Sequence, residues 1–194
     1  MKKISLMIAS IVGLFAVVHA AEAPAFTLMD TEGNEHALSD YKGKVVVLEW
    51  FNHGCPFVQK HYSKGNMQAL QKTYTDKGVV WLAIVSSADG KQGSDSADGH
   101  NKTAAEKGTN ATAILIDADG TVGKAYGAKT TPHMFVIDAK GELVYQGAID
   151  DKRSVNPADI ATSTNYVVAA LDAVLAGEAV EVAKTTPYGC SVKY

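Results

Sequence analysis

Val45 to Phe51 reads V-V-V-L-E-W-F, a β-branched and aromatic run that predicts a buried strand. It stops at Asn52-His53-Gly54, and Cys55-Pro56 opens a segment with helical spacing of its apolar residues. That helix is predicted to run from Pro56 to about Asp76, with Val58, Tyr62, Ala69, Leu70 and Tyr74 facing inward and a kink at Ser63-Lys64-Gly65. Lys77-Gly78 closes it through a left-handed glycine cap. Val79 to Ser86 (V-V-W-L-A-I-V-S) is a second apolar strand. Strand, helix, strand with so long a connection predicts a right-handed crossover between parallel neighbours.

The flanks fill in around this unit. Ala25 to Leu38 alternates about the Glu32-Gly33-Asn34 turn and predicts a hairpin, and 39–44 is a loop. Ser87 to Gly99, rich in Ser, Asp and Gly, predicts a mobile surface loop. A short helix over Lys102–Lys107, a strand over Ala113–Asp117, the Asp119-Gly120 turn and a helical turn over Val122–Ala128 follow. Thr131 to Asp138, the turn at Ala139-Lys140-Gly141 and Glu142 to Gly147 predict an antiparallel hairpin. Ala148 to Pro157 is a loop of mixed charge, and Asp159 to Ala176 a helix with Val167, Ala170, Leu171, Val174 and Leu175 inward. A tail from Glu178 ends near Pro187-Tyr188-Gly189-Cys190. Parallel strands early and an antiparallel hairpin late predict an α/β fold with a central mixed sheet flanked by helices.

Composition narrows the setting. Lys2 and Lys3, the apolar run Ile4–Val18 and the small residues at Val18-His19-Ala20 predict a signal peptide over 1–20, cleaved near Ala20. The run is short for a membrane span and no stop-transfer signal follows it, so a periplasmic or secreted protein without stable membrane association is expected. Residues 21–194 are of a length for one domain. Without Lys2 and Lys3, 16 basic against 21 acidic residues leave a net charge of −5 and no basic cluster, which argues against nucleic acid as a partner. Two cysteines remain, Cys55 and Cys190, an even pair that in an exported protein suggests a disulfide. A purely structural staple is one reading. Against it, Cys55 at a strand-to-helix junction lies over unpaired amides that lower a thiol pKa and make it nucleophilic.

Several motifs together resemble the thioredoxin fold, in its redoxin branch of thioredoxin-like and alkyl hydroperoxide reductase/thiol-specific antioxidant proteins. They are Cys55-Pro56-Phe57 at a helix start after a strand, Thr131-Pro132 before a strand, the hairpin turning at Gly141, and the Phe26-Thr27-Leu28 and Gly43-Lys44-Val45 openings. The resemblance covers roughly Ala25 to Gly177. It implies a thiol–disulfide oxidoreductase acting on protein or small-molecule thiols and disulfides, with no cofactor and no metal. It also implies a cis Pro132 facing Cys55, with Thr131 presenting its backbone to an incoming chain. Glu49 stands where thioredoxins place a buried Asp that relays protons; strand alternation leaves it either buried behind the sulfur or facing outward. Trp50 and Phe51 are expected to pack.

The chain departs from relatives in two ways. Val58 takes the second position of Cys-x-x-Cys, so no attack comes from within the motif. Leu48 and Asn52 stand where the peroxidase pattern Pro-x-x-x-Thr-x-x-Cys has Pro and Thr. Cys190, beside Tyr188 and Gly189, is then the candidate resolving cysteine, provided that the tail brings it to Cys55. Thiol peroxidase is one alternative. A redox-inert or copper-handling module, with Cys55, His53 and His133 as soft-metal ligands, is another. His61 is expected at the surface.

Overall fold

A computed structural model describes residues 21–194, so the expected signal peptide over 1–20 lies outside the described residues. In chain order the strands are β1 (Ala21–Glu22), β2 (Thr27–Asp30), β3 (Glu35–Ala37), β4 (Val46–Trp50), β5 (Val80–Val85), β6 (Ala113–Ile116), β7 (Thr130–Thr131), β8 (His133–Ile137), β9 (Glu142–Gly147) and β10 (Cys190–Ser191). The helices are α1 (Pro56–Tyr62), α2 (Asn66–Thr75), α3 (Ala97–Lys107), α4 (Thr121–Tyr126) and α5 (Tyr166–Leu175). Eight strands form one mixed sheet in the order β1-β9-β8-β4-β5-β6-β2-β3, and β10 pairs with β7 beside it. β4, β5 and β6 are parallel neighbours, while β8 and β9 run antiparallel on the other side of β4.

The central strands are apolar throughout because both sheet faces are covered. Val47 and Phe51 turn to the face packed by α1, α2 and α5; Val46, Leu48 and Trp50 turn to the face packed by α4 and Phe26. The predicted N-terminal hairpin forms as β2 and β3, and the late hairpin as β8 and β9.

The helices differ from expectation in their bounds. At Ser63-Lys64-Gly65 the chain does not kink but breaks: Gly65 adopts φ 76, which favours glycine, and α2 starts afresh. The restart resets the phase, so Met67 and Gln71 are buried while Ala69 is exposed and Leu70 only half-buried. α3 begins at Ala97, five residues before the predicted start, because the Ser96 hydroxyl accepts from the Gly99 amide at 3.1 Å. Its polar composition hid it. α5 begins only at Tyr166, where the Asn165 side chain accepts from the Val168 amide at 3.0 Å; residues 157–162 form a separate 3-10 turn. Val167, Ala170 and Leu171 are buried, whereas Leu175 is 41% exposed. No helix among the described residues is long and apolar enough to cross a membrane.

Candidate active site

The loop after β4 is closed by its own residues. The Asn52 carbonyl accepts the Cys55 amide at 2.9 Å, and the Asn52 side chain accepts from Gly54 and donates to the Gln92 carbonyl. Segment 87–96 is thereby tied to the loop. Cys55 has an extended backbone (φ −85, ψ 125) and caps α1, its carbonyl accepting from Val58 and Gln59 while Pro56 fills the first helical position.

The Cys55 residue is fully buried, and burial alone would push its thiol up. The Cys190 thiol, the Val58 and Cys190 amides and the Thr131 side chain face the sulfur and outweigh it, so the pKa is lowered. Thr131 also sets its carbonyl 3.1 Å from Cys55 Sγ, and the Thr131–Pro132 bond is cis.

Cys190 Sγ lies 2.7 Å from Cys55 Sγ, although the two residues are 135 positions apart, and both are free thiols. Burial, followed by the neighbouring Cys55, pushes the Cys190 thiol up to about 11. Cys55 is therefore the member of the pair that loses its proton first. The register of β10 on β7 sets Cys190 opposite Thr131 and Ser191 opposite Thr130. Where a pairing surface for an incoming chain was expected, the chain's own tail is bound. Further bonds hold it along its length: Thr185 to Gln146, Val192 to the Lys129 carbonyl, the Ala88 amide to Lys193, and the Tyr194 hydroxyl to the Ala128 carbonyl. Gly189 is the crossing point, with φ 141 and a position where a Cβ would stand 2.1 Å from the Thr131 oxygen.

Glu49 is fully buried on the Cys55 face of β4, which removes the outward-facing reading. Its carboxyl accepts from Tyr62 at 2.9 Å, Trp81 at 2.8 Å and Gln71 at 3.1 Å. Burial dominates these bonds and raises its pKa. Neither sulfur is hydrogen-bonded to it. Trp50 and Phe51 are buried in packing, as read from the sequence.

The histidines do not assemble as a ligand set. His53 sits edge-on between Phe51 and Tyr62, at 4.9 and 5.0 Å, and makes no hydrogen bond to either sulfur. Burial lowers its pKa to about 4. His133 accepts the Lys129 amide and packs on Phe135 at 4.4 Å, on the sheet face away from Cys55, because side chains alternate along β8. Among the described residues no group of three His, Cys, Asp or Glu could hold a metal ion. His61 is buried at 1% exposure, not at the surface, and lies 3.8 Å from Asp150.

Lys60, Asp150 and Tyr188, next to this site, escaped the sequence reading. The segment 148–157, expected as a loop of mixed charge, buries Asp150 against Lys60 Nζ at 2.9 Å. The available hint was Tyr188 so close to Cys190.

The family model for Redoxin matches residues 19–163, which leaves Cys190 beyond the match. The thiol-disulfide oxidoreductase ResA of Geobacillus kaustophilus is 33% identical over 132 residues, which are 66% of this chain and 68% of the relative. A hypothetical protein of Sinorhizobium meliloti 1021 superposes with a TM-score of 0.76 at 27% identity, covering 93% of this chain and 96% of that one. An uncharacterized conserved protein from Geobacillus kaustophilus superposes with a TM-score of 0.75 at 33% identity, covering 91% and 92%.

Proposed function

The chain belongs to the Redoxin family, and we propose that it works there as a thioredoxin-type thiol–disulfide oxidoreductase whose redox pair is Cys55 and Cys190. The similar ResA protein carries that activity in its name. The observation that carries the reading is the 2.7 Å approach of Cys190 Sγ to a Cys55 thiol of lowered pKa.

In this reading the Cys55 thiolate attacks one sulfur of a substrate disulfide and releases the other as a thiolate. Cys190, deprotonated as it attacks, then displaces the substrate's remaining sulfur from Cys55 and leaves a Cys55–Cys190 disulfide. Two electrons pass from the cysteine pair to the substrate. Because the Cys55 thiolate is the more stable of the two, Cys55 is also the better leaving group when an external thiol reduces the pair. Thr131 holds a carbonyl and a hydroxyl at the reacting sulfur, and Pro132 fixes the turn that brings them there. Glu49, whose pKa burial raises, is a proton relay one layer behind. A redox-inert adaptor would have no use for Cys190 at this distance.

Peroxide is a second substrate class for the same pair. The Thr131 hydroxyl, which faces the Cys55 sulfur, favours it as a group able to orient an oxidant there. Asn52 does not serve that end, since its amide is spent on Gly54 and Gln92. Lys2, Lys3 and the apolar run before Ala20 support export of a single domain, 21–194, to a periplasmic or extracellular space.

The test is turnover of a peptide disulfide with an excess of a dithiol reductant. Cys55→Ser is expected to abolish exchange and Cys190→Ser to lower it by at least tenfold. Full activity in Cys55→Ser would refute the reading, and a faster loss of hydrogen peroxide than of the peptide disulfide would favour the second.

A further inference from the structure

Two residues before Cys190, the tail buries Tyr188 against α1, the helix that Cys55 caps. The Tyr188 hydroxyl donates to Asp150 and accepts from Lys60 Nζ at 3.2 Å. The Lys60 side chain is 0% exposed and that of Asp150 1%. An ammonium carries three N–H donors. Here they meet the Asp150 carboxylate at 2.9 Å, the Lys152 carbonyl at 2.8 Å and the Tyr188 hydroxyl. Only the last partner comes from the tail.

A buried ion pair is stable only while its remaining hydrogen bonds are made, and removing one leaves a desolvated group without a partner. Withdrawing the tail takes a partner from Lys60 and a donor from Asp150 at once. His61 does not replace it: its Nδ1 is engaged by Asn66, and its Nε2 makes no hydrogen bond.

We propose that Lys60, Asp150 and Tyr188 are positioning residues, a buried polar latch that seats the tail and sets the effective concentration of Cys190 at Cys55. The proposal rests on the reading of Cys190 as the resolving thiol. Cys55 caps the short helix that carries Lys60, and Tyr188 and Cys190 lie on one three-residue stretch. The latch and the redox pair are thus two contacts between the same two segments. Gly189, between them, passes the Thr131 carbonyl too closely for any other residue. Once Tyr188 is seated, little freedom remains in where the Cys190 sulfur falls, and attack on Cys55 becomes an intramolecular step of high effective molarity.

The test equilibrates the full chain with mixtures of reduced and oxidised glutathione. Formation of the Cys55–Cys190 disulfide converts one oxidised glutathione into two thiols, and the mixture gives the equilibrium constant. Tyr188→Phe keeps the ring and removes the hydroxyl. It is expected to lower the constant about tenfold or more, because the disulfide form must still seat a tail that the reduced variant, short of one hydrogen bond to a charged group, releases; that is about 30 mV or more for a two-electron couple. The double variant Lys60→Met with Asp150→Leu, which replaces the pair by apolar side chains, is expected to lower it similarly. It supplies the answer if Tyr188→Phe does not fold. A constant within twofold of wild type would overturn the latch and leave the oxidoreductase reading intact. No Cys55–Cys190 disulfide in wild type at any glutathione ratio would overturn Cys190 as resolving thiol, and the latch with it.

Discussion

A thiol as buried as Cys55 ought to hold its proton, since burial favours the neutral form; four neighbouring groups reverse that balance. One of them is the Cys190 thiol, so the environment can be tested by subtraction. Alkylation of Cys55 in the reduced protein is expected to reach half its maximal rate below the pH of about 8.5 typical of a free cysteine. Cys190→Ala should move that midpoint upward, because a donor to the thiolate is lost; coincident midpoints would contradict this. Glu49 makes a second prediction at this scale. Its folded pKa is raised above 4.5 by burial, so the unfolded chain releases this proton first as pH rises, and stability falls through the interval between the two values. Glu49→Gln should remove that decline, giving urea midpoints that fall less steeply with rising pH above 4.5 than in wild type. Cys55 was legible because its chemistry follows from a local junction of strand, loop and Pro56. Lys60 and His61 were not, since Asp150, which explains their burial, lies 90 positions from Lys60.

Elements whose signals are local were read well. β4, β5 and the hairpins announce themselves by unbroken or alternating apolar residues and by turns such as Gly141. Helix bounds were read less well, because caps at Ser96 and Asn165 and the left-handed Gly65 outweigh the apolar spacing around them. The tail carries a pattern of neither kind. Its course is set by partners on β7, β9 and the loop at Ala88, and one position decides whether it can pass. Gly189→Ala would drive a Cβ into the Thr131 carbonyl, at 2.1 Å, from a backbone with φ 141 that a side chain rarely adopts. The variant is expected to keep the circular dichroism of the folded sheet and helices while forming the Cys55–Cys190 disulfide at least tenfold more slowly than wild type under glutathione. An unchanged rate would show that the tail reaches Cys55 by another path.

At the scale of the whole molecule, sequence and topology divide the site between distant parts of the chain. β4 and α1 deliver Cys55, the turn before β8 delivers Thr131 and Pro132, and the last residues deliver Cys190. The mixed sheet was legible from strand order, and so was its resemblance to the redoxin branch of the thioredoxin fold. The meeting of two cysteines 135 positions apart was not, because no local pattern encodes where a tail docks. Removing either cysteine separates the roles proposed for them. The most direct measurement is intact mass with peptide mapping after a brief exposure of reduced protein to excess oxidised glutathione, in wild type and in Cys190→Ser. The expected result is a Cys55–Cys190 disulfide without adduct in wild type, and one glutathione held on Cys55 in the variant. Glutathione retained on Cys55 in wild type, or a variant that carries none, would contradict a nucleophile at Cys55 resolved by Cys190.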